Sequence, residues 1–284
     1  MRDLVVAVLA CTVLALPAQA VAASPSTAAL QVALHARGLY TGSIDGLPGP
    51  GTRTAVVRLQ RVAGLAVDGV AGPATRDALG WRGRPPIGTR VLGGAQRGWD
   101  VAALQFLLDR AGFPSGPVDG ALGPRSTAAL RRFQAWAGLP ADGAAGPATL
   151  TALHRPPPRS PLLLRAPVAA PVGDGFGPRG TWFHTGLDYR ASAGAPVTAA
   201  GAGCAVSAGW DPGGYGNLVV LAHRLGLTSW YAHLSSIAVR PHQCVAAGAL
   251  LGRVGATGRA TGPHLHFELR LRGAAIDPRS SGLG

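Results

Sequence analysis

The chain reads as a multidomain protein in which two small all-α units precede a mainly antiparallel β domain. Two observations point that way. The first is an internal duplication: Leu30-Gln31 recurs as Leu104-Gln105, Asp45-Gly46 as Asp119-Gly120, Gly49-Pro50 as Gly123-Pro124 and Leu59-Gln60 as Phe133-Gln134. Gly64-Leu65, Asp68-Gly69 and Gly72-Pro73-x-Thr75 likewise recur as Gly138-Leu139, Asp142-Gly143 and Gly146-Pro147-x-Thr149, always at an offset of 74, so one unit is copied once. The second is a run of short apolar segments punctuated by Gly and Pro beyond residue 172, the pattern of an antiparallel β domain.

Within each unit, apolar residues recur at helical spacing, as in Ala103-Leu104, Leu107-Leu108 and Ala111, and in Ala129-Leu130 and Phe133. The Asp-Gly pairs supply tight turns, and Gly-Pro-x-Thr starts a helix. Each unit therefore reads as helix, turn, helix, turn, short helix, over residues 26–80 and 90–154. Pro85-Pro86 separates the units, and a Pro-rich linker over 155–171 leads to the β domain at 172–284. That composition favours an extended, semi-rigid spacer that holds the flanking parts away from one another.

At 284 residues the chain is long enough for two or three domains with real cores. Charged residues make up only 14%, against 42 Gly and 24 Pro, which suits short strands and turns better than long helices. All 26 basic residues are Arg, and the net charge is +13. The arginines are scattered and no groove-reading motif accompanies them, which argues against nucleic acid. An anionic polymer outside the cell is the easier electrostatic partner, and a basic surface that is simply solvated is the alternative. Residues 1–23 read as an export signal, with Arg2, an apolar run from Leu4 to Leu16, Pro17, and the small-residue site Ala18-Gln19-Ala20. Membrane contact is expected only through this segment. Its removal leaves Cys204 and Cys244, an even pair that reads as a disulfide in an exported protein.

Strand segments are expected at Pro196–Ala199, Cys204–Val206, Leu218–Leu221, Thr228–Ala232 and Pro263–Leu271. In the last, a period of two puts His264, His266 and Glu268 on one face and Leu265, Phe267 and Leu269 on the other. Upstream, Gly186 argues against a helix through His184 and Asp188, so an extended segment puts His184, Gly186 and Asp188 on one face. Two His and one carboxylate form a borderline-soft zinc set, and three ligands leave a position open for water. His233 lies in another alternating segment, Ser229–Leu234. Each piece alone is weak, since short histidine motifs match many proteins.

Together and in order, the pieces resemble the lysostaphin-type (LytM-type) zinc endopeptidases, which cut peptide bonds in bacterial peptidoglycan. The matching segments are Gly175-Phe176-Gly177-Pro178-Arg179, His184-x-x-x-Asp188, Gly214-Tyr215-Gly216-Asn217, Tyr231-Ala232-His233-Leu234, and Gly255-x-Thr257-Gly258 running into Gly262-Pro263-His264-Leu265-His266-Phe267-Glu268. The resemblance implies His184, Asp188 and His266 as zinc ligands, and His233 and His264 as the catalytic histidines beside a zinc-bound water. It also implies a compact sheet with zinc on the floor of a groove, whose walls Trp182, Trp210, Tyr215 and Trp230 could form, although core packing is the default for each. Glu268, the chain's only glutamate, is read as a supporting partner, and His223 as structural. Both helical units resemble the three-helix peptidoglycan-binding domain of wall hydrolases. The expected whole is a secreted or cell-wall-associated, monomeric, zinc-dependent peptidoglycan endopeptidase. The alternatives are a non-catalytic adaptor or activator of another hydrolase, and a wall-binding protein whose zinc is structural.

Overall fold

The computed structural model describes residues 22–283. Nearly all of the expected export signal lies outside the described residues. Among the described residues, no helix is long and apolar enough to cross a membrane.

The two helical units contain α1 (Pro25–His35), α2 (Pro50–Val62) and α3 (Pro73–Ala78), then α4 (Trp99–Arg110), α5 (Pro124–Trp136) and α6 (Pro147–Leu153). Five of the six start on Pro, whose fixed φ suits a first helical turn that has no use for its missing N–H. The repeat proves finer than a single duplication. In each unit a buried glutamine amide closes each of the two Asp-Gly turns. Gln31 donates to Asp45 Oδ1 at 2.7 Å and Thr52 Oγ1 at 3.1 Å, and accepts from Gly46 N at 2.9 Å. Gln60 does the same with Asp68, Thr75 and Gly69. Gln105 and Gln134 repeat the arrangement in the second unit, with Ser126 in place of one Thr. The small domain thus replaces part of an apolar core with satisfied amide networks.

The units are not separate beads. Trp99, Ala102, Ala103 and Phe106 of α4 belong to the first unit's core, while Val101, Leu104, Leu107 and Leu108 pack in the second unit's core. A helix apolar all round must be covered all round, and α1 provides the missing cover.

The β domain comprises β1 (Val172–Asp174), β2 (Gly177–Arg179), β3 (Trp182–His184), β4 (Leu187–Tyr189), β5 (Pro196–Thr198), β6 (Gly203–Asp211), β7 (Gly216–Ala222), β8 (Leu227–Ile237), β9 (Cys244–Val245), β10 (Leu250–Val254), β11 (Leu265–Leu271) and β12 (Ala274–Ile276). The main sheet runs β1-β4-β11-β8-β7-β6-β9, with β10 on β8 and β5, and β12 on β11; β2 and β3 form a separate hairpin. Leu265, Phe267 and Leu269 turn into a core with Val219, Leu221 and Tyr231. Each such large buried side chain is worth about 1.5–3 kcal/mol. The Tyr231 hydroxyl is held by Ala200 N and Ser229, and His223 in turn holds Ser229, so His223 is structural as expected. Cys204 and Cys244 are cross-strand partners on β6 and β9 and are disulfide-bonded.

Residues 155–171 do not act as a free-standing spacer. Leu162, Leu164 and Val168 pack on the β core, and Leu164 and Arg165 donate backbone hydrogen bonds to Ser281 and Ala200. The expectation that the linker holds the helical pair away from the β domain is also overturned. Ile44 N donates to Gly180 O (2.9 Å), Val118 N to Thr181 O (2.7 Å), and Ala275 N to Gly112 O (2.9 Å), while Ala274 joins the second unit's core. Apolar residues inside a Pro-rich segment gain more by burial than the stiff backbone gains by standing off.

Candidate metal centre

Asp188 on β4 and His266 on β11 stand directly opposite one another in the antiparallel ladder. Their side chains share the face of the sheet away from the main core. His184 reaches the same place from a different sheet. It ends β3, and the chain crosses from the hairpin to β4 through Thr185-Gly186, so the single extended segment expected from sequence is broken there. Gly186 permits the crossing: a Cβ at this position would lie 2.3 Å from Phe267 O on β11.

The donor atoms converge. His184 Nε2 is 3.1 Å from Asp188 Oδ1 and 3.1 Å from His266 Nδ1, and His266 Nδ1 is 2.7 Å from Asp188 Oδ1. Among the described residues, these three form a group able to hold one metal ion. Each ring is fixed by its other nitrogen. His184 Nδ1–H donates to Gly175 O at 2.7 Å, and His266 Nε2–H donates to Glu268 Oε1 at 2.9 Å, so Nε2 and Nδ1 respectively face the centre, each offering a lone pair once it carries no proton. Two imidazole lone pairs and one carboxylate oxygen in a triangle of this size fit a dication bound at about 2.0–2.2 Å.

The carboxylates are held ionised. Burial by itself raises Asp188, but hydrogen bonds from His184 and His266 outweigh it and hold the carboxyl well below its usual range. Its second oxygen accepts from Arg179 at 2.9 Å, and Arg179 also pairs with Asp174. Glu268 is fully buried, yet the Arg270 guanidinium, then His266 and Thr185, overcome that burial and hold it low. Glu268 accepts from His266, Thr185, Tyr215 and Arg270, and the Arg270 guanidinium lies over the Trp230 ring, 3.8 Å from its centroid. Burial lowers His266, but Asp188 and Glu268 together push it up to about 9, so a metal ion must displace a proton from it.

His233 and His264 flank this triangle. Their ring centroids are 4.7 Å apart, and His264 Nε2 is 3.9 Å from Asp188 Oδ1. Both Nδ1–H groups donate to backbone carbonyls, His233 to Thr257 at 2.8 Å and His264 to Gly262 at 2.9 Å, which leaves each Nε2 as the free acceptor. His233 adopts a left-handed backbone with φ 63°, a costly conformation for a non-glycine residue and one that clusters at functional sites. Burial, then repulsion from His264 and His266, lowers its pKa despite the Thr257 carbonyl.

A cleft of about 380 Å³ opens over these groups, with Arg179, Tyr215 and Arg259 on its rim. Of the four aromatic residues considered for groove walls, Tyr215 lines this cleft. Trp230 instead packs on Tyr215 beneath Arg270, and Trp210 is an exposed residue of β6 that does not line it. A larger cavity of about 820 Å³ lies between the helical pair, the linker and the β domain, and contains no histidine. Arg270 was missed from the sequence, although one more step of the same alternation, from His264 through His266 and Glu268, reaches it. Arg179 was missed as a site residue because nothing in the spacing of a separate hairpin links it to Asp188.

Residues 182–278 match the model of peptidase family M23, and residues 23–79 and 97–153 match the model described as "Putative peptidoglycan binding domain". The DD-carboxypeptidase/endopeptidase Mpg of Neisseria meningitidis serogroup B is 45% identical over 104 residues, covering 36% of this chain and 24% of that protein. Peptidoglycan DD-endopeptidase ShyA of Vibrio cholerae serotype O1 is 42% identical over 94 residues, covering 33% and 22%. Lysostaphin of Staphylococcus simulans is 40% identical over 101 residues, covering 34% and 20%. The chain thus spans about a quarter or less of the length of these relatives. With three converging donors at the heart of the matched segment, the chain carries a peptidase family M23 domain behind two domains of the peptidoglycan-binding family.

Proposed function

We propose that this chain is an exported zinc endopeptidase that hydrolyses peptide bonds of bacterial peptidoglycan, in cross-links or stem peptides. Residues 172–284 are the enzyme, and the helical units at 26–80 and 90–154 engage the wall. The observation that carries this reading is the convergence of His184 Nε2, Asp188 Oδ1 and His266 Nδ1 beside two histidines that each present a free Nε2. The endopeptidase activities that Mpg and ShyA are named for agree with it. Its place of action is outside the cytoplasm, secreted or wall-associated, as a monomer with no nucleic-acid partner.

His184, Asp188 and His266 would hold the zinc. When bound, zinc supplies a Lewis acid and a water acidified toward neutral pH. The chain's own groups supply the proton traffic. His233 and His264, each with Nδ1 held by a backbone carbonyl and Nε2 turned away from it, are placed to take a proton from the attacking water and return it to the leaving amine nitrogen. Glu268 locks the His266 ring so that Nδ1 faces the centre, and Arg179 leaves only one Asp188 oxygen for it. A non-catalytic adaptor would have no need to bring His184, Asp188, His266, His233 and His264 together.

The test has two readouts. His184→Ala, Asp188→Ala and His266→Ala should each lose stoichiometric zinc and wall lysis together. Purified walls of several chemotypes, digested with the parent protein, should yield new amino termini by mass spectrometry. Stoichiometric zinc in His266→Ala, or walls without new amino termini, would reject the reading.

A further inference from the structure

Trp182 is half exposed at 50%, unusual for an indole two residues from a proposed metal ligand. On β3 the period of two puts Trp182 on the face of His184, about 7 Å along the strand, while Phe183 turns the other way onto Phe176. Its cross-strand partner is Arg179, which lines the cleft. Trp182 does not line that cleft itself; it stands just outside it, paired across the hairpin with the lining residue Arg179.

Its neighbour there comes from the second helical unit. The Arg125 guanidinium, at the start of α5, lies over the Trp182 ring, 5.6 Å from its centroid. The hydrogen bond from Val118 N to Thr181 O fixes this junction one residue away. Beyond Arg125 the surface dips into a cleft of about 340 Å³ lined by Gln105, Ser115, Asp119 and Ser126. An apolar ring face with a guanidinium beside it, between a peptide-bond site and a polar cleft, matches one ligand chemistry in particular. A pyranose ring offers apolar C–H groups on its faces and hydroxyl and acetamido oxygens on its edges.

Resting on the function proposed above, we infer that Trp182 and Arg125 form a joint subsite for an N-acetylated sugar of peptidoglycan, so that the second helical unit completes the enzyme's own substrate groove. The half of Trp182 that Arg125 leaves exposed packs on the sugar, and Arg125 donates to its edge oxygens. The stem peptide branching from that sugar then runs past Arg179 toward the metal centre. The second unit thereby selects sugar-bearing peptide over free peptide.

The experiment uses the full chain loaded with zinc and two substrates, a cross-linked muropeptide and the same cross-linked peptide with its sugars removed enzymatically. The parent should prefer the sugar-bearing substrate in kcat/KM. Trp182→Ala and Arg125→Ala should each reduce that preference about tenfold, mainly through KM, and Trp182→Phe should restore most of it. A preference unchanged in Trp182→Ala would overturn the subsite while leaving the peptidase reading intact. If the parent cuts neither substrate, the peptidase reading fails, and calorimetry with an N-acetylglucosamine oligosaccharide decides the subsite alone. Binding weakened tenfold in Trp182→Ala supports it; equal binding, or none by the parent, overturns it.

Discussion

Ile44 and Val118, equivalent residues of the duplicated units 74 positions apart, donate their backbone N–H groups to successive carbonyls of one turn, Gly180 O and Thr181 O. The duplication therefore pinches the tip of the β2–β3 hairpin from both copies, and that hairpin carries Arg179 and ends in His184.

The β domain is expected to fold without residues 26–154, because its core is its own. It should melt at a lower temperature than in the full chain. Each lost interdomain hydrogen bond accounts for about 0.5–1.5 kcal/mol, and the Ala274 contact is lost as well. Hydrogen exchange at 177–184 should accelerate. Identical melting and exchange in the truncated and full proteins would show that the clamp carries no energy.

His233→Ala and His264→Ala should retain zinc, because neither belongs to the ligand triangle, while activity falls on the order of 100-fold in whichever removes the general base. Burial holds His233 below its ordinary pKa of 6.5, so it is neutral at pH 7 and competent to accept a proton. The acid limb of kcat/KM is expected below pH 6.5. Near-normal turnover in both variants would exclude a proton role for either.

Asp109 on α4 is buried, and burial pushes its carboxyl up to about 7 although Ser115 N and Oγ both donate to it. A carboxyl raised in the folded state binds more protons there than when unfolded, so stability falls as pH rises from about 4 to 7 and is flat above that. The loss amounts to as much as about 4 kcal/mol. Asp109→Asn, which keeps the acceptor oxygen, should be more stable than the parent at pH 8 and lose that advantage near pH 4. Urea midpoints at the two pH values measure this; parallel curves would contradict it.

The Cys204–Cys244 bridge closes a separation of 40 residues, for which about 2–4 kcal/mol is expected. Reduction should lower the melting temperature of the β domain and leave zinc content unchanged, since neither cysteine belongs to the ligand triangle. Release of zinc on thiol alkylation would contradict the ligand set.

The helix starts, the Asp-Gly turns and the alternation through His264, His266 and Glu268 were legible in the amino-acid sequence, because each is a local property of φ, of missing N–H groups or of period two. The second, shorter repeat of the Gln and Asp-Gly device was also written there. Unequal spacing masks it: Gln and Asp are 14 residues apart in the first copy of each unit and 8 in the second.

Tertiary structure alone decided three things. The break at Thr185-Gly186 puts His184 and Asp188 on different sheets, where the chain passes so close to Phe267 O that a side chain at 186 would clash. The network of Tyr215, Thr185 and Arg270 around Glu268 joins residues far apart in the chain, because a buried charge must collect its partners from wherever the sheet brings them. The docking of the helical pair was hidden behind a Pro-rich linker whose composition suggested distance. Local stiffness describes how a segment bends, whereas the apolar side chains within it and the unpaired backbone groups at a hairpin tip determine where it is buried, and those depend on surfaces that exist only once both domains have folded.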